Sequence, residues 1–558
     1  MKESQFTPKL FTILKKGISK EQFRKDLIAG LIVGIVALPL AIAFAIASGV
    51  SPDKGLITAI VAGLVISVLG GSRVQIGGPT GAFIVIVYAV VQEFGVDGLI
   101  IATFMAGIIL IAMGLARLGN LLKFIPHPLI VGFTSGIAII IFSSQIKDFF
   151  GLSIETVPAD FIEKWKVYAL HFSSINWAAV AIATGTILLA FNFHRISKKI
   201  PGSIVAILLS TLAVYFFDIP VATIETVFGE IPSNLSMPQF PHINFATVQK
   251  LIQPAFAIAI LGGIESLLSA VVSDGMIGGR HRSNAELVAQ GVANCFSSMF
   301  GGIPATGAIA RTATNVKNGG RTPIAGIVHA LVLLIIMLLL APYAKLIPMA
   351  CLAGILIVVA YHMSEWRQFR SLLKGNKSDV MILLVTFFLT VIFDLVIAIE
   401  IGIVLSSFVL MKRMSDNTTV QLATDLFSNN DNPEELFEDE LPVLPKGVTM
   451  YEIHGPLFFG ATQTFQDTMS RLQDRPKVLI LRMRHVPFID ATGIYRLIEI
   501  IKKFADQNTD IILSGVNDNV LKDLEKSNIY SVLSKENLTN SIEKASERAA
   551  QIIEGRKQ

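Results

Sequence analysis

Two short stretches carry residues whose types and spacing could do chemistry: Gly77-Gly78-Pro79-Thr80-Gly81-Ala82 and, in the second half of the chain, Gly301-Gly302-Ile303-Pro304-Ala305-Thr306-Gly307-Ala308. Each interrupts an apolar region with helix breakers, after which a helix resumes. Irregular backbone at membrane depth survives only where it lines a cavity, and Gly/Pro-broken spans in corresponding positions of two halves mark the substrate site of a secondary transporter. One copy alone reads as a plain kink, so the pairing carries the inference. Glu265 is a further expensive residue, an acid inside the apolar run Pro254 to Val272, where a charge costs about 2.5–3.5 kcal/mol or more. An acid so placed is poised to carry a proton along with a substrate; its bland alternative is a neutral, hydrogen-bonded acid that ties this span to a neighbour.

The elements that would position these residues follow from composition. The chain of 558 residues is 52% hydrophobic and 16% charged, with mean hydropathy +0.63, and its apolar residues fall in blocks long enough to cross a bilayer. The first seven blocks lie near Leu27 to Ala47, Leu56 to Leu69, Gly78 to Val91, Leu99 to Leu115, Leu129 to Ser144, Trp177 to Phe193 and Ile204 to Phe217. Seven more follow near Pro254 to Val272, Ala285 to Phe300, Ala305 to Thr314, Ile324 to Leu340, Ile347 to Tyr361, Val380 to Phe393 and Leu395 to Leu410. The third and tenth are too short for a core of about 30 Å at 1.5 Å per residue, which predicts extended lead-ins at Ser72 to Ile76 and Ser297 to Phe300.

An odd number of spans per half makes the halves inverted copies. Basic residues agree: Lys15, Lys16, Lys20, Arg24 and Lys25, then Arg117 and Lys123, then Arg195, Lys198 and Lys199, then Arg280 and Arg282, then Arg367, Arg370, Lys374 and Lys377 all fall on one side. By the positive-inside rule that side is cytoplasmic and holds both termini. The polar, basic first 26 residues and the long first apolar block read as a segment before a membrane span rather than a cleavable leader. A formal charge of +4, with basic residues beside apolar segments, gives no reason to expect nucleic acid. Cys295 and Cys351, both in apolar segments, suggest neither a disulfide framework nor a metal site, and no cofactor is called for.

The expected architecture is therefore an α-helical polytopic membrane protein of 14 spans in two inverted seven-span repeats, with a cytoplasmic α/β domain attached. Residues 1–26 form the cytoplasmic N-terminal segment, 27–413 the membrane domain, 414–446 an acidic linker carrying Asp431 to Glu440, Pro442 and Pro445, and 447–558 the soluble domain. In the last, strands at Val448 to Ile453, Val478 to Leu481 and Ile511 to Ser514 alternate with helices at Thr462 to Leu472 and Gly493 to Ala505.

Over essentially its whole length the chain resembles the SulP anion transporters, the sulfate permeases. The residues that carry this are Asp26-Leu27-Ile28-Ala29-Gly30-Leu31, Gly77-Gly78-Pro79-Thr80, Glu265-Ser266-Leu267-Leu268, Gly301-Gly302-Ile303-Pro304 through Ala310-Arg311, and Asp490-Ala491-Thr492-Gly493. The last sits where a STAS domain carries its Asp-Ser-Ser-Gly turn. The bacterial branch that includes a C4-dicarboxylate (succinate) transporter of the inner membrane looks most similar.

The resemblance implies a core and a gate domain, a dimer, and two broken spans whose helix N-termini face each other. N–H groups of Gly81 and Ala82, and of Gly307 and Ala308, would then meet a shared anion, with hydroxyls from Thr80 and Thr306 and the charge of Arg311. Arg311 has an alternative place at the cytoplasmic end, where it would snorkel to water. Where many members carry Gln after the first-span proline, here Pro39 is followed by Leu40, with Phe44 one turn on, which tilts the expectation from sulfate towards a dicarboxylate. Core packing explains Phe44 equally well. Sodium-using members carry Asp at the position of Glu265 and Thr at that of Ser269, so a proton is the expected coupling ion and sodium the alternative. Bringing in a dianion against 100 mV costs about 4.6 kcal/mol, which calls for such a cation. The expectation is thus a proton-coupled transporter of C4-dicarboxylates or sulfate; a sodium-coupled bicarbonate symporter, a passive channel and a sensor are the alternatives, and an enzyme is not expected. Asp490 and Thr492 mark a regulatory turn, with Thr492 at the site phosphorylated in anti-sigma-factor antagonists, and cytoplasmic proteins are candidate partners there.

Overall fold

The computed structural model describes residues 5–119, 126–154, 156–158, 160–196, 201–230, 235, 237–241, 244–393, 395–422, 444–470 and 476–556. Lys123, Lys198, Lys199, Leu472, the run from Asp431 to Glu440 and Pro442 lie outside them. Two units are present, Met1–Val404 and Leu405–Gln558.

The first seven spans are Lys20–Ala47, Pro52–Leu69, the two arms of Ile84–Leu115, His127–Ser144, Trp177–Asn192 and Gly202–Phe217. The next seven are Phe245–Ile277, Ser283–Met299, Ile309–Lys317, Ile324–Ala344, Met349–Met363, Lys377–Ile392 and Leu395–Asp416. Among the described residues, six helices are long and apolar enough to cross a bilayer alone; Trp177–Asn192 and Gly202–Phe217 are shorter apolar helices. Ser19 caps the first span by accepting from Gln22 N, and Pro39 sits inside that helix without ending it. The third and fourth spans part at Gly95, whose φ of 71° is a conformation glycine adopts freely. Spans one to four pack with eight to eleven, while five to seven pack with twelve and thirteen, giving two bundles. Gly402 places the fourteenth against Leu129 and Thr386 of the second bundle.

Small residues set the closest crossings. A Cβ on Gly291 in the ninth span would meet the Gly107 carbonyl of the fourth at 2.5 Å, and one on Gly107 would meet the Gly291 carbonyl at 2.7 Å. Backbones therefore touch directly, as small-residue packing in membranes permits. Gly291→Leu is expected to cost about 1–3 kcal/mol by overpacking; a lowered midpoint of thermal unfolding in detergent checks it, and an unchanged midpoint refutes this tight crossing.

In the second unit a five-stranded sheet runs in the order β3 (Thr419–Leu422), β4 (Val448–His454), β5 (Val478–His485), β6 (Asp510–Ser514) and β7 (Leu538–Thr539). β3 is antiparallel to β4 and the remaining pairs are parallel. The sheet thus begins inside the stretch that the sequence reading gave to the linker, because β3 pairs Val420 with Ile453 and buries it. Along β5, Leu479, Leu481 and Met483 face one core with Phe465, Leu497 and Phe504. Val478 and Ile480 face the other, against Ala545, Ala549 and Ile553 of Ile542–Gly555. The period of two puts helices on both faces of the sheet.

Candidate functional site

Both breaks are extended backbone that meets as a two-rung antiparallel ladder between β1 (Gly77–Gly78) and β2 (Thr306–Gly307), with Gly77 opposite Gly307 and Gly78 opposite Thr306. Buried polar side chains satisfy the approach to it. Glu286 accepts from the N–H groups of Gly71 (2.8 Å) and Ser72 (2.9 Å). Asn294 both accepts from Ala305 N and donates to Ala305 O at 2.8 Å. Thr58 Oγ1 accepts from Ile303 N at 2.7 Å, and Ser297 donates to Ile303 O at 2.8 Å. Nonhelical backbone is tolerated at this depth only with such partners. The second lead-in is Gly301 to Ala305; Ser297, Ser298 and Met299 remain helical, which moves the break past its expected place.

From the ladder the two chains leave in opposite directions into helices. Thr80 precedes the one-turn 3-10 helix Gly81–Phe83, so Gly81 and Ala82 present N–H groups without intrahelical partners. The second side differs from expectation. Gly307 N donates to Ser266 Oγ (3.1 Å) and Ala308 N to Ile76 O (2.9 Å), so neither is free. Thr306 is also taken up, donating to Gly262 O at 2.8 Å and lying 2.6 Å from Ser266 Oγ. The two Thr-Gly-Ala triplets are not equivalent: the first starts a helix, whereas Thr306 and Gly307 of the second form the strand, Ala308 is the N-cap and the helix begins only at Ile309. The open first-turn positions there are Ile309 and Ala310, both exposed.

Arg311 is 3% exposed and reaches across the ladder, where Nη2 donates to Pro79 O. It does not snorkel. A Cβ on Gly78 would lie 2.5 Å from Arg311 Nη1, so only glycine admits the guanidinium here, and Nη1 has no hydrogen-bond partner among the described residues. Glu265 accepts from Thr80 Oγ1 at 2.9 Å, which links the eighth span to the first break. One turn on, Ser269 donates to Thr312 Oγ1 at 3.4 Å, and Thr312 Oγ1 accepts from Ile76 N at 3.0 Å. Phe44 faces Gly81: a Cβ there would come within 3.5 Å of its ring, 2.8 Å of Met363 Sδ and 3.4 Å of Ile141 Cδ1. Leu40 lies one turn earlier on the same helix face and Pro39 is buried beside it. Sequence reasoning missed Met363, Ile141 and Thr312, since apolar residues and single hydroxyls in membrane helices carry no distinguishing pattern, and it took Ser266 only as part of the run after Glu265 without a role at the break.

In the second unit Asp490 caps Ala491–Ala505, its Oδ1 accepting from Gly493 N at 2.7 Å and its Oδ2 from Phe459 N at 3.0 Å. Thr492 is exposed in the first turn of that helix. Asp490→Ala is expected to destabilise the domain by about 1 kcal/mol, read as a lowered urea midpoint of the full-length protein followed by Asp-turn hydrogen exchange; unchanged protection at Gly493 would contradict the cap.

Inverted helical halves with opposed broken spans, and between them a buried guanidinium whose Nη1 has no partner among the described residues, define a membrane anion transporter. The sulfate permease family profile matches residues 23–386 and the STAS domain profile residues 443–545, and the chain belongs to the sulfate permease family. It is 42% identical over 523 residues to YvdB of Bacillus subtilis, a protein named as a candidate sulfate transporter, covering 93% of this chain and 97% of that one. Identity to the bicarbonate transporter BicA of Picosynechococcus is 30% over 542 residues, covering 94% of each. The transmembrane domain of a cyanobacterial BicA superposes with TM-score 0.63 at 31% identity, covering 68% of this chain and 98% of that one. Murine Slc26a9, an anion transporter solved in the inward-facing state, shares the fold with TM-score 0.85 at 20% identity, covering 97% and 94%.

Proposed function

We propose that this transporter takes up small dianionic oxyanions together with a proton, by alternating access across the cytoplasmic membrane, with both termini in the cytoplasm. The observation that carries this reading is the Thr80–Glu265 hydrogen bond: it joins the only acid of the eighth span's apolar stretch to the break that offers Gly81 and Ala82. Proton carrier and anion cradle then share one contact, so loading of either changes the other. Sulfate is the first substrate, supported by the similarity to YvdB. A C4-dicarboxylate is the second reading, favoured by the Phe44 ring beside Gly81, which offers methylene groups an apolar face.

Uptake of labelled sulfate, succinate and bicarbonate into proteoliposomes, under separate proton and sodium gradients, tests this. Proton-driven accumulation of a dianion is expected; accumulation of bicarbonate driven by sodium alone would replace the reading, with Glu265, Ser269 and Thr312 as oxygen ligands. The second unit serves dimer assembly and binding of cytoplasmic proteins, and a phosphate on Thr492 would be favoured by the helix N-terminus it sits on.

A further inference from the structure

Between the fifth and sixth spans the short helix Phe161–Leu170, capped by Asp160, carries Lys164, which is only 3% exposed. Its Nζ donates to Ser144 Oγ at 3.3 Å and lies 5.7 Å from the centre of the Tyr88 ring. The Ser144 hydroxyl gives its own proton to Ile140 O at 2.9 Å, so it serves the ammonium as acceptor only. No carboxylate comes within ion-pair distance of Lys164 among the described residues. A buried ammonium held by one neutral hydroxyl is costly unless an anion joins it.

The space for such an anion is present. Lys164 lines a cavity of about 420 Å³ between the bundles, with Tyr88 of the third span and Gln253 of the eighth on one side and Ser144 and Thr390 on the other. A neighbouring cavity of about 500 Å³ is lined by Lys164 as well. The geometry points to a second anion site, in which Lys164 captures a small oxyanion at the outer mouth between the two bundles before it reaches Arg311. This rests on the proposed transport of oxyanions and on its orientation.

Titratable groups around the site are Asp160 at the N-cap of the same helix, Tyr88 and Glu93 of the third span and Lys250 in the first cavity, and Lys147 and Asp148 in the second, with Tyr168 close enough to feel Asp148 and Tyr88. Burial lowers the Lys164 ammonium to about 8, with Asp160 pulling it partly back. The ammonium is therefore charged below about pH 8 and neutral above, so external anion affinity falls as pH rises through that value. Sulfate is the right probe, because its own charge is constant over this range.

External and internal half-saturation for sulfate are measured between pH 6.5 and 9 in sided proteoliposomes, for wild type, Lys164→Gln and Lys164→Arg. Lys164→Gln is expected to raise the external value about tenfold with a much smaller change on the inner face. Wild type should lose external affinity above pH 8 where Lys164→Arg does not. An external value untouched by Lys164→Gln, equal losses from both faces, or the same alkaline loss in Lys164→Arg would each overturn the site. Should wild type move no anion at all, the transport reading fails separately. Trp165, left as the sole tryptophan by W177F/W366F, then reports on the site alone: a sulfate-dependent emission change abolished by Lys164→Gln supports it, and no change overturns it.

Discussion

Arg311→Ala should weaken anion binding about 100-fold. A hydrogen bond to a charged group contributes about 1.5–3 kcal/mol, and each 1.4 kcal/mol is about a factor of ten. Arg311 lies at the upper end, because it is buried and its Nη1 has no partner among the described residues to compete with an anion. Arg311→Lys should fall between, since it keeps a charge but loses the planar fork that reaches Pro79 O while offering a second donor. Titration of purified protein with labelled sulfate, by scintillation proximity, gives the affinities. Equal binding by wild type and Arg311→Ala, with ordered protein in both cases, would remove Arg311 from the anion site and reduce it to a brace on the ladder.

Glu265→Gln should separate anion movement from proton drive. Glutamine keeps the shape and can still accept from Thr80, but carries no titrating proton. With an inward gradient of one pH unit, losing one coupled proton removes about 1.4 kcal/mol, a tenfold lower accumulation ratio. The uncompensated charge adds about 2.3 kcal/mol per 100 mV for an anion entering an inside-negative vesicle. Counterflow exchange, which needs no net drive, should persist. Acid-driven accumulation equal to wild type would end the proton role and return Glu265 to a structural tie between the eighth span and the first break.

Much of this arrangement was legible beforehand because apolar blocks long enough for a bilayer leave little topological freedom. The paired breaks were visible for the same reason: Gly77 to Ala82 and Gly301 to Ala308 interrupt runs that otherwise have no business stopping. What the sequence obscured is register. Thr80-Gly81-Ala82 and Thr306-Gly307-Ala308 look interchangeable, yet Pro79 stands between β1 and its helix, whereas Thr306 and Gly307 are themselves the strand and Ala308 caps the helix after it. Only the hydrogen bonds of Ser266 and Ile76 reveal that Gly307 and Ala308 are occupied. The edge strand β3 was hidden differently, as four residues beside an acidic run whose pairing comes from a distant segment. Met363 and Ile141, which close on Gly81, resemble every other apolar residue of their spans.

The ladder between β1 and β2 also has a mechanical meaning. The two breaks pair with each other, and Arg311 of the second half-helix also holds Pro79 of the first break, so these contacts couple the two half-helices mechanically. On the proposed transport reading, cargo held there would ride in a single carriage past the second bundle, instead of being passed from one repeat to its twin.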